Sequence, residues 1–362
     1  MKPESLYIHI PFCAHLCAYC DFAKVLYEPA WALSYVGELK KEIAALKIDS
    51  VKTIYIGGGT PSVLPTPLLA DLLAFVRPFL AKGGEFTLEA NPENFTREKA
   101  LLLRKMGVNR LSLGVQSSDE VLLKRMGRHH TFEEAKAAFS LAREVGFDNI
   151  SCDLIYGLPG ETMGILKKDI AALLSLKSEH LSTYCLSVNP GTVFFNQHVE
   201  EMDQALAADQ YEAILRAFRT KGYTRYEVSN FAKEGRESRH NLTYWKDEPY
   251  YGVGMGAAGY IDNLRYTNTR DLQAYLKGKR HDEEEIVTPE EDRKYFFLTN
   301  LRLAKGFSLL SYQERFHEDF TLAYRVPLTR LIAAGLLKED NARVYPTDQG
   351  ILLLDRILLA LY

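Results

Sequence analysis

Two kinds of run alternate along the first two-thirds of the chain. Short stretches dense in β-branched and aromatic residues occupy positions 6–12, 51–56, 85–90, 110–115, 149–156 and 180–188. Between them, positions 29–46, 67–80, 97–106, 132–145 and 166–176 carry apolar residues at helical spacing. Parallel strands need a crossover long enough to hold a helix, so strand–helix alternation predicts parallel β/α units. Gly107, Gly146 and Gly222 follow helical runs, where a left-handed residue ends the helix. About six units precede the fading of the rhythm near Phe231, which predicts a partial (β/α)6 barrel and not the full eight-unit form.

Beyond Phe231 the pattern changes. Positions 236–245 are polar and then aromatic, and positions 250–260 interleave glycine with aromatics, which suits close approach to a flat ligand or another sheet. The acidic run 282–285 reads as a solvated linker. From Pro289 onward the periodicity is mainly helical, and the last 36 or so positions read as helix, short strand, helix, a winged-helix-like order. The expected domains are therefore 1–235, a connecting segment 236–288, and a smaller C-terminal domain 289–362.

Composition narrows the partners. A chain of 362 residues with 47% hydrophobic positions can bury a substantial core, and 44 basic against 47 acidic residues leave a net charge of −3. That balance argues against a nucleic-acid reader, so the winged-helix-like unit is expected to pack or cover, not to bind DNA. The start lacks the h-region and cleavage site of an export signal, and the apolar tail is broken by Asp355 and Arg356, well short of a membrane span. Five unpaired-looking cysteines suit a reducing compartment, and a cytoplasmic location is expected.

Three of those cysteines, Cys13, Cys17 and Cys20, fall within eight residues as C-x3-C-x2-C. A disulfide would leave one of them free, whereas soft metal chemistry uses all three. No second cysteine pair exists to complete a closed zinc site. A cubane cluster held by three thiolates keeps one iron open to an external ligand. An iron–sulfur cluster is the expectation; zinc completed by His9 or His15, or no metal, are the alternatives. Cys152 and Cys185 lie in strand-like apolar surroundings and are expected to be buried structural thiols.

Barrels of parallel β/α units place their chemistry at the carboxyl ends of the strands. Gly57-Gly58-Gly59-Thr60 follows the second strand, and Glu89, Gln116 and Asp153 sit at or near the ends of the third, fourth and fifth, with Arg128 just after the fourth unit's turn. Singly, each has a plain reading as a partner for nearby loop backbone. Together, polar and charged side chains at consecutive strand ends favour a bound polar ligand over the plain reading.

C-x3-C-x2-C with Tyr19 before the last cysteine, followed by the glycine run, resembles the radical S-adenosylmethionine (SAM) superfamily. Tyr7-Ile8-His9-Ile10-Pro11-Phe12-Cys13 resembles its branch of oxygen-independent coproporphyrinogen III oxidases and related heme chaperones. The resemblance spans about residues 5–190. It implies a [4Fe-4S] cluster on Cys13, Cys17 and Cys20, with SAM contacted at Tyr7, Tyr19, Gly58, Gly59, Thr60, Glu89, Gln116, Arg128, Asp153 and, by backbone, Ser187.

Two activities follow from that branch. In the oxidase, a cluster electron cleaves SAM and the resulting radical starts the oxidative decarboxylation of coproporphyrinogen propionates. In the chaperone, heme is bound and delivered to apo-hemoproteins, membrane-associated respiratory ones among the candidate recipients. Oxidases of the branch carry a further cysteine two residues after the last cluster ligand, and that position here is Phe22. His240-Asn241-Leu242-Thr243-Tyr244-Trp245 resembles the H-N-x-x-Y-W motif linked to heme in the chaperones, which implies His240 as a heme contact. The chaperone is the expectation and the oxidase the alternative.

Overall fold

The computed structural model describes residues 2–362. Six parallel strands form the central sheet: β1 (Ser5–Ile10), β2 (Val51–Gly58), β3 (Leu80–Ala90), β4 (Arg110–Gln116), β5 (Ile150–Tyr156) and β6 (His180–Cys185). They run in sequential spatial order, with helices crossing between them. Two short strands, β7 (Thr224–Arg225) and β8 (Asn230–Ala232), extend the β6 edge in antiparallel sense. The other edge is extended by β9 (Tyr251–Val253), parallel to β1, so the sheet reads β9-β1-β2-β3-β4-β5-β6-β8-β7. The fold is the expected partial barrel with a smaller C-terminal domain.

Successive strand residues face opposite sides, and this chain uses that alternation to make a polar lumen. Leu6, Ile8, Ile54, Ile56, Phe86, Leu88, Leu111, Leu113, Cys152, Leu154 and Leu181 all belong to the core shared with the covering helices. The intervening positions are polar: Tyr7 and His9 on β1, Thr53 and Tyr55 on β2, Glu85, Thr87 and Glu89 on β3, Arg110 and Ser112 on β4, Asp153 on β5, His180 and Ser182 on β6. Register sets them side by side, Tyr7 opposite Tyr55, Thr87 opposite Arg110, Asp153 opposite Ser182. Full eight-strand barrels fill this space with branched apolar side chains.

Two expectations for the middle of the chain are corrected. Residues 236–288 do more than connect. They supply β9, and Tyr251, Val253, Met255, Leu272 and Tyr275 join the barrel core. The acidic run lies in a strand, His281–Ile286, paired antiparallel with Leu264–Asn268; charges on the exposed face of an edge strand discourage pairing with other chains. The C-terminal unit has its own core around Phe296, Phe297, Phe307, Tyr312 and Phe320, with a three-stranded sheet as the wing. Asp247, its side chain only 2% exposed, ties the two bodies together: it bonds Arg265 and receives Arg315 Nη2 at 2.7 Å from the C-terminal unit.

Candidate functional site

The cysteine loop is held from several sides. Phe12 and Cys13 pair with Val25 and Leu26, and Tyr27 donates its N–H to the Cys13 carbonyl at 2.8 Å, closing the loop at its base. Below it, Gly59 N–H reaches the Ile10 carbonyl and Thr60 N–H the Phe12 carbonyl, both at 2.8 Å. From outside, Ala18 N–H bonds the Met126 carbonyl and Phe194 N–H the Ala18 carbonyl. The glycine run makes this closeness possible. A Cβ on Gly59 would lie 2.8 Å from the Pro11 and Phe12 carbonyl oxygens, and one on Gly58, at φ +113°, would strike the His9 ring. The local reason for these glycines is therefore protein packing, and Gly58 and Gly59 also border the cavity beside them.

That cavity, about 350 Å³, opens at the carboxyl ends of the strands. Cys13, Cys17 and Cys20 border it together with Tyr19, Gly58, Gly59, Thr60, Glu89, Gln116, Arg128, Asp153 and Ser187. Thus the structure brings together every residue that the resemblance assigns to cluster or SAM, except Tyr7. Tyr7 lies deeper in the lumen, its hydroxyl 3.0 Å from His9 Nδ1 and its ring near Tyr55. Neutral His9 is fixed there, with Nε2 2.7 Å from the Ala23 carbonyl, and burial pushes its pKa down to about 4.

All five cysteines are free thiols. Thr60 Oγ1 donates toward Cys13 Sγ at 3.7 Å, and Arg128 Nη1 toward Cys17 Sγ at 3.8 Å. Burial pushes the Cys13 thiol up to about 11 and raises that of Cys20, against the pull of Lys24. A metal would reverse this, because coordinated sulfur is held as thiolate. Among the described residues no three His, Cys, Asp or Glu side chains converge on a point as a single ion requires.

Carboxylates and an amide line the same cavity as the cysteines. Glu89 accepts from Tyr55 Oη at 2.7 Å and from Gly58 N–H at 3.0 Å. Burial nevertheless pushes it up to about 7, reinforced by nearby Asp153, itself raised by burial. Gln116 ends β4 at φ +68°, an uncommon conformation for a residue with a side chain, and its Oε1 is buried without a partner. Arg128 is anchored through Nη2 to Asn91 Oδ1 at 2.9 Å and to the Gly114 carbonyl at 3.0 Å, leaving Nε unpaired. Soft sulfur bordering the same cavity as charged groups and an orphan acceptor fits a cluster and an amino-acid-bearing nucleotide.

Sequence reasoning missed Asn91 and Tyr55, which position Arg128 and Glu89; the Asn91-Pro92 step after β3 was the available signal for the first. It also placed Cys185 wrongly. Cys152 is fully buried as expected, but Cys185 is exposed and borders the cavity, because β6 ends there and its last side chains reach the mouth.

His240 lies elsewhere. It sits in the helix Arg239–Trp245, whose first turn caps the lumen at the amino ends of the strands. Glu85, on β3, accepts the N–H groups of Arg239 and His240 at 3.0 Å each. His240 is 1% exposed, with Nδ1 2.7 Å from Thr53 Oγ1 and Nε2 2.8 Å from Tyr244 Oη. It stacks on Tyr55, and burial pushes its pKa down to about 3. Both ring nitrogens are engaged within the protein, and the H-N-x-x-Y-W helix lies at the opposite end of the strands from the cysteine cavity.

Comparison with known proteins matches these features to a family. The Radical SAM superfamily model matches residues 7–173, and the HemN C-terminal domain model matches residues 287–353. The heme chaperone HemW of Lactococcus lactis is 41% identical, with 96% of this chain and 94% of that protein covered. HemW of Bacillus subtilis is 40% identical, covering 97% of each, and HemW of Escherichia coli 34%, covering 99% and 98%. In fold, the chain superimposes on the coproporphyrinogen III oxidase HemN of Escherichia coli with a TM-score of 0.86 at 23% identity, over 99% of this chain and 90% of that one. The superfamily implies a [4Fe-4S] cluster and SAM, and the chain belongs to the HemW family within it.

Proposed function

We propose that this protein is a heme chaperone: it binds heme, carries a [4Fe-4S] cluster with SAM, and hands heme to apo-hemoproteins. The observation that carries the reading is identity of 34–41% to HemW chaperones across nearly the whole of both chains. Phe22, where oxidases of the branch have a further cysteine, supports it. Cys13, Cys17 and Cys20 would hold the cluster, and a cluster so held supplies an open iron that can chelate SAM and pass it an electron.

This chain's residues would then do the following. Arg128 faces the SAM carboxylate and Glu89 the ammonium, with Tyr55 and Gly58 holding the Glu89 carboxylate in place. Asp153 takes ribose hydroxyls, Gln116 offers its free Oε1, and Tyr19 and Ser187 border the bound nucleotide. Tyr7 acts one layer below, through His9. No helix among the described residues is long and apolar enough to cross a membrane. The cytoplasm is the proposed location, and recipients include membrane-associated respiratory apoproteins.

The test uses full-length protein reconstituted without oxygen. Heme-loaded protein mixed with an apo-hemoprotein should transfer heme, read by the recipient's absorption spectrum, and the same protein given SAM, reductant and coproporphyrinogen III should form no protoporphyrinogen. Protoporphyrinogen formation, or failure to take up heme, overturns the reading.

A further inference from the structure

A histidine that holds iron keeps one ring nitrogen as a bare lone pair, and the hydrogen bond made by the other nitrogen decides which one that is. Around His240 the proton can be placed by following hydroxyls, each of which has one hydrogen to give. Thr243 Oγ1 lies 3.4 Å from the Arg239 carbonyl, which can only accept, so Thr243 donates there. Its oxygen then accepts from Ser5 Oγ at 2.8 Å, and Ser5 Oγ accepts from Thr53 Oγ1 at 2.9 Å. Thr53 has no second hydrogen, so the ring itself donates across the 2.7 Å between His240 Nδ1 and Thr53 Oγ1. Ser5 and Thr53 face each other in register on β1 and β2, while Thr243 and His240 come from the helix above them. All four residues are at most 5% exposed, so water has little access to any link.

Nε2 is thereby left without a proton, and it meets a single donor, Tyr244 Oη at 2.8 Å. Tyr244 is half-buried, and its hydroxyl makes no other hydrogen bond among the described residues. His180, the other lumen histidine with a tyrosine over Nε2, is closed more firmly. Its Tyr226 is buried and also accepts the Ser238 N–H. The plane of the His240 ring is set as well, stacked on Tyr55 with centroids 5.1 Å apart and planes at 28°.

We infer that Ser5, Thr53 and Thr243 are positioning residues for heme: their hydroxyl relay fixes the His240 proton on Nδ1, so that heme iron can take Nε2 in place of the Tyr244 hydroxyl. A metal-bound histidine almost always donates its second nitrogen to a fixed acceptor, which sets the tautomer and makes the imidazole a stronger ligand. Thr53 is that acceptor. This inference rests on the heme-binding reading, with the H-N-x-x-Y-W histidine as the iron contact, and deepens it by assigning two supporting residues outside the motif.

The test uses full-length, cluster-reconstituted protein. Long-range proton–nitrogen NMR correlation of labelled histidines gives each ring's tautomer, and the His240 signal is the one lost in His240→Gln. The unaltered chain should show the Nδ1–H form. Ser5→Ala frees Thr53 to donate to Nδ1, so part or all of the ring should convert to the Nε2–H form. Ferric heme binding, read by Soret titration, should weaken on the order of 10–100-fold, the range for losing the partner of a metal ligand. Thr243→Ala cuts the relay one link further on and should do the same, and Thr243→Ser should restore both readings. Tyr244→Phe should keep the Nδ1–H form, because the relay acts on the other nitrogen. An Nε2–H ring in the unaltered protein, or an unchanged tautomer in both Ser5→Ala and Thr243→Ala, overturns the relay. A switched tautomer with unchanged heme affinity overturns its part in heme binding. A chain that takes up no heme overturns the chaperone reading itself, whatever the tautomer.

Discussion

Replacing Glu89 with glutamine should move stability and SAM affinity in opposite directions. The carboxyl is pushed from 4.5 to about 7 chiefly by burial, so the folded protein binds its proton more tightly than the unfolded chain does. For a carboxylate raised in this way, folding is unpenalised below the unfolded pKa and loses stability as pH rises through the window from 4.5 to about 7. At 1.36 kcal/mol per unit, the accumulated cost above pH 7 is at most about 3 kcal/mol, an upper bound because the side chain is partly open to the cavity. Glutamine fills the same volume without charge. Its carbonyl can keep the Gly58 N–H while its amide donates to a reoriented Tyr55 hydroxyl. The variant's melting temperature should therefore match the parent near pH 5 and exceed it near pH 8. SAM affinity should fall instead, because a charge-assisted bond to the ammonium is worth about 1.5–3 kcal/mol. That is roughly 10–100-fold in Kd. In the unaltered protein, affinity should climb as pH rises through about 7, and in the variant that climb should vanish. The assay is calorimetric titration of cluster-loaded protein with SAM at pH 6, 7 and 8, beside thermal melts at each pH. Unchanged SAM affinity at pH 8 would remove Glu89 from the cofactor site, and a variant less stable at pH 8 would refute the burial argument.

Three other outcomes follow from the geometry. Gly59→Ala pushes a methyl into two backbone carbonyls, and overpacking of this kind costs about 1–3 kcal/mol. Iron content after reconstitution should drop sharply while far-UV circular dichroism stays near the parent's; full iron loading would contradict the packing role given to that glycine. Glu85→Ala strands the N–H groups of Arg239 and His240, at about 1–3 kcal/mol for each buried donor. Hydrogen exchange should rise first in the helix Arg239–Trp245, with Glu85→Gln intermediate; uniform exchange across the barrel would argue against a local cap. Asp247→Asn leaves Arg265 and Arg315 without their shared carboxylate; Arg315 keeps Asp292, and the partly exposed arginines hold the cost below the roughly 3–5 kcal/mol of a fully buried broken pair. Proteolysis should then cut between barrel and C-terminal unit before either is degraded, whereas an unchanged cleavage pattern would deny Asp247 its bridging role.

What the chain settled alone is the part written in short-range order. Strand and helix periods gave the six parallel units, because alternation and helical spacing are properties of neighbouring residues, and each of the six parallel strands β1–β6 lies within a few positions of its expected run. C-x3-C-x2-C fixed three sulfurs on one loop, whatever the rest of the molecule does. Polar residues at successive strand ends converged because parallel strands deliver their carboxyl ends to one rim.

Contacts between distant segments were decided only by folding. Nothing local to residues 236–245 says that Glu85, some 150 positions earlier, will cap their helix, or that Thr53 and Tyr244 will occupy both nitrogens of His240. The same holds for β9, which looked like connector and became the edge strand beside β1. Cys185 was misplaced because apolar neighbours in sequence say nothing about where a strand stops relative to the rim. His15 and His129, 114 positions apart, stack only because Ala18 and Met126 bring their two loops together. Periodicity encodes which face a residue presents; which other surface meets that face is a free-energy balance over the whole chain, and no stretch carries it alone.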